Sequence, residues 1–300
     1  MLVISDLHWR CDTPSWRKEP DYSQVLRHKL GTLLNTGEAV CVAGDLFHRA
    51  DDFEAVFDLF TFLKERKAVL YAVPGQHDQV YHNTTLVRTG FNLLVHAGLV
   101  IPLSRFPQEI GDSVMVSGMG WGEDIPGRPA DILIAHVPVS YTGAPYAGSE
   151  SAQAFRQKAA KFKYVFTGDN HQRFVLPEPS TYQGRFILPT GGLFNAGCFH
   201  RMTSDLANQP PAAWHVTPEG VSLFEIPCPP PLVDEAYMHR QSEGKAKVAG
   251  TEFVKALAEA RQQGGGDVFL EVLKKAVEGM DAGAREMTKE LIKICEEAHT

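Results

Sequence analysis

Five short apolar runs, each ending in an acid, a histidine or an amide, constrain this chain more than any other feature. The clearest is the segment from Val40 to Arg49, where an apolar run stops at Gly44 and is followed by Asp45 and His48. Such a run predicts a buried strand of a parallel or mixed sheet. Because chemistry gathers at the carboxyl ends of strands in open α/β sheets, Asp45 and His48 are candidate site residues. Taken singly, an Asp after a strand is more often a turn former or a helix cap.

The same arrangement recurs along the chain. The other runs are residues 1–5, followed by Asp6 and His8; 68–73, followed by Gln76, His77 and Asp78; 132–135, followed by His136; and 164–167, followed by Asp169 and His171. Carboxylate, imidazole and amide oxygen are ligands that suit Mn, Fe, Zn or Mg, and no thiolate accompanies them. The recurrence therefore predicts a two-metal phosphoester site.

Helical spacing between the runs predicts an α/β fold. Residues 21–35 and 52–67 are predicted helices, the second with Phe53, Phe57 and Leu63 on its apolar face. Further predicted elements are helices over 84–97 and 149–162 and strands over 99–101 and 113–117. Short β-rich runs at 173–176, 185–188, 213–216 and 221–226 suit a second, more antiparallel sheet packed on the first.

A proline-rich stretch from Pro227 to Pro231 predicts the clearest domain boundary. We expect a catalytic domain over residues 1–228, a linker over 229–233 and a helical subdomain over 234–300. The subdomain has predicted helices over 252–262, from Asp267 onward, and over 285–298. Two interpretations stay open, because its apolar stripes could fold onto the core or dock a partner.

Charge and composition narrow the functional classes. The formal net charge of −7 gives no general affinity for polyanions, so any nucleic-acid contact must be local. The five cysteines are scattered and form no C-x-x-C pair, which favours a reducing compartment. No apolar run approaches the roughly 18 residues that span a bilayer, and no leader is visible. We expect a cytoplasmic or nucleoid-associated protein that is not secreted and contacts no membrane.

Taken in order, the site motifs resemble a known set. The motifs are Asp6-x-His8, Gly44-Asp45 with His48, Gly75-x-His77-Asp78, the lone His136, and Gly168-x-x-His171. They resemble the five motifs of the calcineurin-like metallophosphoesterases, and Gly-Asp-Leu-Phe-His is similar to the SbcD-type DNA repair nuclease subunits. The resemblance covers residues 1–228 and implies a two-sheet αββα sandwich, an α/β fold with its metals at the edge between the sheets.

The resemblance also implies a role for each ligand. The first metal would be held by Asp6, His8 and His171, the second by Gln76, His136 and Asp169, and Asp45 would bridge both. Gln76 stands where the family usually has Asn, and Asp169 stands where it usually has His. An amide and a carboxylate oxygen keep ligation chemically open. We expect two divalent ions, Mn²⁺ first, with Mg²⁺, Fe²⁺ or Zn²⁺ as alternatives.

Three further residues are expected to act on the substrate. His77 would protonate the leaving oxygen or meet the developing charge, and Asp78 would orient its ring. His48 would position the phosphate. For each of these residues a capped turn or a satisfied core histidine is the alternative.

One loop has the composition of a DNA contact. The loop that follows the first metal motif contains two indoles and three cations, and a further Arg comes directly after His48. These residues are Trp9, Arg10, Trp16, Arg17, Lys18 and Arg49. Indoles can stack on bases and cations can hold phosphates. The alternative is that the two indoles cap the core and the cations are merely solvated.

The functional hypothesis is therefore a metal-dependent DNA exonuclease or endonuclease of the SbcD type. By analogy, residues 234–300 could attach to an SMC-like coiled-coil ATPase, although a standalone compact nuclease of the kind found in phage genomes and a homodimer stay open. Two rivals remain: a phosphodiesterase or phosphatase of the same fold that acts on a small molecule, a cyclic nucleotide or a phosphoprotein, and a catalytically silent scaffold. Turnover of a small diester without DNA cleavage would favour the first rival.

Overall fold

The structure is a computed structural model that describes residues 1–80, 89–111, 113–141, 148–182, 185–188 and 191–237. The chain divides into two compact units, Met1–Val233 and Asp234–Thr300. The helices predicted over 252–262, from Asp267 and over 285–298 lie outside the described residues.

The first unit alternates strands and helices. The helices are α1 (Tyr22–Leu34), α2 (Phe53–Arg66), α3 (Gly90–His96) and α4 (Ala152–Lys158). The strands are β1 (Leu2–Ile4), β2 (Val40–Ala43), β3 (Leu70–Val73), β4 (Val100–Pro102), β5 (Gln108–Ile110), β6 (Val114–Met119), β7 (Ile132–His136), β8 (Val139–Ser140), β9 (Glu150–Ser151), β10 (Tyr164–Gly168), β11 (Phe174–Leu176), β12 (Ser180–Tyr182), β13 (Arg185–Ile187), β14 (Gly192–Asn195), β15 (Ala212–Thr217) and β16 (Gly220–Glu225).

Two six-stranded mixed sheets form the centre. The first has the order β16-β15-β1-β2-β3-β4, in which β1 to β4 are parallel and β15 and β16 are antiparallel. The second has the order β11-β14-β10-β7-β6-β5, with four parallel strands between two antiparallel edges. The carboxyl ends of the parallel strands in each sheet are where the sequence places its polar motifs.

Alternation of side chains along the strands explains the layers. In β1, Leu2 and Ile4 pack in the core that α1, α2 and α3 share with the first sheet, whereas Val3 packs between the two sheets. In β7, Ile134 faces the other sheet and Leu133 faces the α4 side. Because both faces are covered, these strands read as continuous apolar runs. The predicted αββα sandwich is confirmed.

Helices α1 and α2 begin close to where the sequence predicts. The Asp21 side chain accepts a hydrogen bond from the backbone N–H of Gln24, and Asp52 accepts one from Ala55, so both helices start with an acidic cap. The predicted apolar face of α2 is wrong at two positions, since Phe53 and Phe57 are 74% and 71% exposed.

Other predicted elements need correction. The described part of the 84–97 helix begins only at Gly90, because Thr89 is its extended N-cap. Helix α4 is shorter than 149–162, since Ser151 caps it and the chain turns after Lys158. Three of the four β-rich runs after His171 extend the two six-stranded sheets at their edges, as β11, β15 and β16. The run at 185–188 pairs with β12 in a separate two-stranded sheet.

Two further sequence expectations concern membrane spans and cysteines. Within the described residues no helix combines the length and the apolar character that crossing a bilayer would need. The four described cysteines are free thiols: Cys11, Cys41, Cys198 and Cys228.

Candidate metal centre

The polar motifs meet at the edge that the two sheets share. Asp6 and His8 follow β1, Asp45 follows β2, and a short 3₁₀ turn after β3 contains Gln76, His77 and Asp78. The second sheet contributes His136 at the end of β7, and Asp169 and His171 after β10. Backbone bonds tie the loops together, because the N–H of His8 donates to the Asp45 carbonyl at 2.8 Å. Each sheet therefore contributes part of one cluster.

Four cluster residues hold left-handed backbone conformations that non-glycine residues rarely adopt. The φ angles are 51° at Asp6, 42° at His8, 50° at Asp45 and 77° at Asp169. Each costs on the order of 1–3 kcal/mol and persists only where surrounding contacts enforce it. Such strain clusters at functional sites, so its concentration in these loops indicates that they are shaped for a site.

Asp6, His8 and His171 form the first ligand set. Their candidate ligand atoms all lie within 4.8 Å of one another. The Nε2 atoms of His8 and His171 are 3.2 Å apart, and the His171 Nε2 lies 3.7 Å from Asp6 Oδ1. This is the trio that the family resemblance assigns to the first metal.

The second ligand set contains Asp45, His136, Gln76 and Asp169. The Nε2 atom of His136 lies 3.5 Å from Asp45 Oδ1 and 2.8 Å from Gln76 Oε1. The Gln76 amide donates to Asp169 Oδ1 at 2.6 Å, and that oxygen lies 3.9 Å from His136 Nε2. The two residues that depart from the family pattern thus lie together, on the second ligand set.

Asp45 stands between the two sets. Its Oδ2 atom is 3.7 Å from the Nε2 of His8, and its Oδ1 atom is the one that faces His136. Asp45 therefore lies where a carboxylate would have to lie to bridge two ions, which stays a prediction.

The cluster fits divalent cations. One carboxylate oxygen each of Asp6 and Asp45 is buried and has no hydrogen-bond partner among the described residues. A buried carboxylate oxygen without a donor is costly, whereas a cation would satisfy it. Since oxygen and imidazole donors surround both oxygens, the donor set suits Mn²⁺, Fe²⁺, Zn²⁺ or Mg²⁺ and does not distinguish among them.

The electrostatics of the cluster follow from burial and from close opposite charges. Burial raises the pKa of Asp6 and lowers the pKa of His8 well below its usual value. Burial would also raise the pKa of Asp45, but the adjacent His136 ring outweighs it and holds that pKa well below its usual range. Burial would lower the pKa of His136, yet the Asp45 charge raises it to about 10. Burial therefore favours the neutral form of His8 that a ligand needs, whereas Asp45 favours the protonated form of His136, whose proton a metal ion would displace.

Asp78 does not orient the His77 ring, which corrects the predicted role. Its carboxylate accepts backbone N–H bonds from Leu46 at 3.0 Å, Phe47 at 2.9 Å and Gly75 at 2.9 Å. Asp78 is fully buried, and that burial raises its pKa to about 7 against the effect of these donors. It joins the loops after β2 and β3 and so fixes the positions of Asp45 and His77 indirectly.

His77 is held by its backbone and by one ring nitrogen. Its N–H donates to Asp45 Oδ1 at 2.9 Å, and its Nδ1 lies 2.9 Å from the carbonyl oxygen of His48. The His77 ring centroid is 5.0 Å from that of His8. Because a carbonyl oxygen can only accept, Nδ1 donates to it, and Nε2 is the ring atom left for chemistry.

The predicted DNA-contact loop is largely wrong. Trp9 is fully buried and donates its indole N–H to Asp58 at 2.8 Å, and Trp16 is 3% exposed and donates to the Met202 carbonyl. The indoles cap the core, so they cannot stack on bases.

The four cations of the predicted DNA contact differ in how exposed they are. Arg17 is buried and paired with Glu19, which also removes it from the surface. Arg10 is paired with Asp12, whereas Lys18 is exposed and the Arg49 side chain is 67% exposed. Of the six residues, Lys18 and Arg49 keep the exposure that a phosphate contact requires.

Sequence reasoning missed two residues beside the cluster. Asn195 is buried, and its amide donates to the carbonyls of Asn170 and Gln172 at 2.6 Å each, which fixes the loop around His171. The Trp121 ring lies 6.2 Å from that of His136. Asn195 ends strand β14, which the sequence pattern does not predict, so its position at a strand end could not be used. No local motif indicates Trp121.

An αββα sandwich with carboxylates and imidazoles gathered between its sheets has the ligand chemistry that a metal-dependent phosphoesterase needs. The chain belongs to the calcineurin-like phosphoesterase family (Metallophos), whose sequence profile matches residues 1–173. A search of curated protein sequences finds no match.

Solved structures with a similar chain course come from several organisms. TT1561 of Thermus thermophilus is 14% identical, covers 75% of this chain and 98% of its own, and has a TM-score of 0.45. The calcineurin-like phosphoesterase YfkN from Bacillus subtilis is 11% identical, with 75% and 89% covered and a TM-score of 0.42. Vps29 from Entamoeba histolytica, complexed with Zn²⁺, is 16% identical, with 75% and 97% covered and a TM-score of 0.34.

Proposed function

We propose that this phosphoesterase hydrolyses phosphodiesters and that its substrate is DNA, cut as an exonuclease or an endonuclease. The observation that carries the proposal is the position of Asp45, which faces His8 on one side and His136 on the other while accepting the N–H of His77. A phosphodiester held beside Asp45 would meet both ligand sets and the His77 ring together.

The residues that would hold the two cations are those of the two ligand sets, with Asp45 between them. Two divalent ions, when bound, would acidify a water molecule and neutralise charge on the phosphoryl oxygens. The protein holds its ligands ready for this, because the His136 Nδ1 is fixed by the Ala43 carbonyl at 2.7 Å and its Nε2 faces the cluster.

His77 is the residue proposed to move a proton. Its Nδ1 is engaged by the His48 carbonyl, so Nε2 is the atom that would deliver a proton to the leaving oxygen. The bond from its N–H to Asp45 fixes the backbone of His77 relative to the ligands. The proton would come from solvent, which the partly exposed ring of His77 can reach.

The choice of DNA as substrate is supported by the resemblance to SbcD-type nucleases and by the exposed cation Arg49. Arg49 follows His48 and is exposed, so it can contact a phosphate next to the one that is cut. A second candidate is a small phosphodiester or phosphomonoester. The burial of Trp9 and Trp16 favours it, since the loop expected to stack on bases does not offer its indoles.

One experiment separates the candidates. Linear single-stranded and double-stranded DNA and a chromogenic phosphodiester are each incubated with Mn²⁺, Mg²⁺ or a chelator. The proteins are the wild type, His77→Ala and His96→Ala, in which an exposed histidine on α3 serves as the matched control. We expect Mn²⁺-dependent DNA cleavage that falls about 10²–10⁴-fold in His77→Ala and stays unchanged in His96→Ala.

Each other outcome has a defined meaning. Turnover of the chromogenic diester alone would replace DNA with a small substrate. Equal activity of His77→Ala and the wild type would remove His77 from the mechanism. A protein that binds fewer than two metal ions and hydrolyses nothing would be the silent scaffold.

The segment after the catalytic domain, residues 234–300, is the candidate attachment site for a partner protein. We propose that residues 234–300 could attach the enzyme to a coiled-coil ATPase, as the resemblance suggests. A truncation that tests this should end after Val233, because Val233 pairs with Arg17 and the Leu232 carbonyl accepts the N–H of Lys18. If the truncated enzyme associates with such an ATPase as the full chain does, the attachment lies elsewhere.

A further inference from the structure

A third group of potential ligands lies next to the two metal sets. His8, His48 and His77 each offer a ring nitrogen, and these nitrogens all lie within 4.8 Å of one another. The rings of His48 and His77 are nearly parallel, with an interplanar angle of 14° and centroids 5.7 Å apart. The His8 ring stands across them at 73° and 85°. Neither of the ligand sets described above includes His48 or His77.

The unused nitrogens of this group are defined by their contacts. The Nδ1 atoms of His8 and His48 are buried and have no hydrogen-bond partner among the described residues. His77 places Nδ1 against the His48 carbonyl at 2.9 Å, which is the arrangement that orients a metal-binding imidazole through its other nitrogen. A buried ring nitrogen without a partner costs about 1–3 kcal/mol, so a ligand for these atoms would be favoured.

The crowding decides which ligand fits. A phosphate would need protonated rings, but three imidazolium groups this close would repel one another strongly. A cation needs neutral rings, and neutral imidazoles are good ligands for Zn²⁺ and Cu²⁺. Three nitrogen donors with an open fourth position describe a zinc-type site.

We propose that His8, His48 and His77 bind an additional divalent ion of the zinc type, distinct from the two ions of the main centre. His8 takes part through Nδ1, since its Nε2 faces Asp6, Asp45 and His171, and its remaining ring proton passes to solvent. The extra ion occupies the His77 nitrogen, so zinc in excess inhibits the enzyme. The inhibition rests on the proposed function, whereas the binding does not.

The binding is tested by counting zinc ions. Metal-free wild type, His48→Ala, His48→Gln and His96→Ala are equilibrated with chelator-buffered Zn²⁺, at a free concentration that leaves weak surface histidines empty, and bound zinc is measured by elemental analysis. We expect one zinc fewer in both His48 variants than in the wild type and no change in His96→Ala. The unfolding midpoints show which variants are folded, and the less disruptive His48→Gln keeps the test open if His48→Ala fails to fold.

The inhibition is tested separately on the Mn²⁺-loaded enzyme with whichever substrate it hydrolyses. We expect the zinc concentration that halves the rate to rise at least tenfold in His48→Ala, each variant being compared with its own rate without zinc. Equal zinc content in the wild type and both His48 variants would overturn the site. An enzyme with no hydrolytic activity whose zinc content still falls by one in His48→Ala would keep the site and refute the proposed function instead.

Discussion

Gly44 connects the backbone of the first sheet with a ligand from the second, and Gly44→Ala tests that connection. Gly44 has φ +86°, and a Cβ at this position would lie 2.1 Å from Nδ1 and 2.3 Å from Cγ of His136. Those distances are far below any tolerated contact, so the imidazole must move. Its bond to the Ala43 carbonyl at 2.7 Å would be lost with the movement.

The size of the effect follows from three contributions. Forcing an alanine into the left-handed conformation costs about 1–2 kcal/mol, and the lost hydrogen bond costs about 0.5–1.5 kcal/mol. Disturbing the residues that orient a metal ligand typically lowers metal affinity about 10–100-fold. We therefore expect Gly44→Ala to lose about 1.5–3.5 kcal/mol of stability and to bind the second metal ion at least about tenfold more weakly.

The control is Gly37→Ala. Gly37 also has a positive φ of +77°, but a Cβ there would meet no heavy atom of the described chain within 4 Å. It should lose about 1–2 kcal/mol in urea unfolding, with Mn²⁺ stoichiometry and hydrolysis unchanged. If Gly44→Ala binds both ions as tightly as Gly37→Ala does, the proposed coupling between Gly44 and His136 is wrong.

Three further predictions test the site and the core. Metal affinity should rise with pH, by up to about tenfold per pH unit below pH 10. The reason is that Asp45 raises the pKa of His136 against the effect of burial, so an ion must displace the proton on His136. Mn²⁺ titrations that show no pH dependence would contradict this. Lys29→Met should stabilise the protein by about 3 kcal/mol at neutral pH, because burial lowers the Lys29 pKa from 10.5 to about 8 and the unfolded chain holds the proton more tightly. In urea unfolding this gain should shrink between about pH 8 and pH 10.5, where lysine becomes neutral in both states, and a gain that persists at higher pH would have another origin. Because its indole is buried, Trp16→Ala should lose about 3–5 kcal/mol of stability. The DNA affinity of the folded fraction and the salt dependence of that affinity should not change. Weaker DNA binding by folded protein would restore the loop as a DNA contact.

The strands and their polar ends were predictable because both signals are local. An apolar run such as residues 132–135 indicates a strand covered on both faces, and a polar residue such as His136 directly after it must lie at the strand end. Five repetitions of this pattern were enough to predict an α/β fold with a site at its strand ends, whereas the αββα sandwich was implied by the family resemblance. The starts of α1 and α2 were predictable for the same reason, since Asp21 and Asp52 cap them within three residues.

Side-chain exposure was less predictable. Phe53 and Phe57 look like core residues of α2, but the helix turns Val56, Leu59 and Phe62 inward and leaves them outside. Trp16 shows the opposite, since a loop that reads as polar and cationic packs its indole into the core. Burial depends on which elements lie opposite, and local composition contains no information about them.

The kinds of ligand, their order and the strands that deliver them can be read from the amino-acid sequence, because residue chemistry and strand length are properties of short segments. The folded arrangement was needed to show that Asp78 binds backbone amides and leaves the His77 ring to the His48 carbonyl. It was also needed to place His48 and His77 beside His8 as a third group of ligands. These contacts join residues from different strand ends, and their distances are set by how the strands and loops pack, which no single segment encodes.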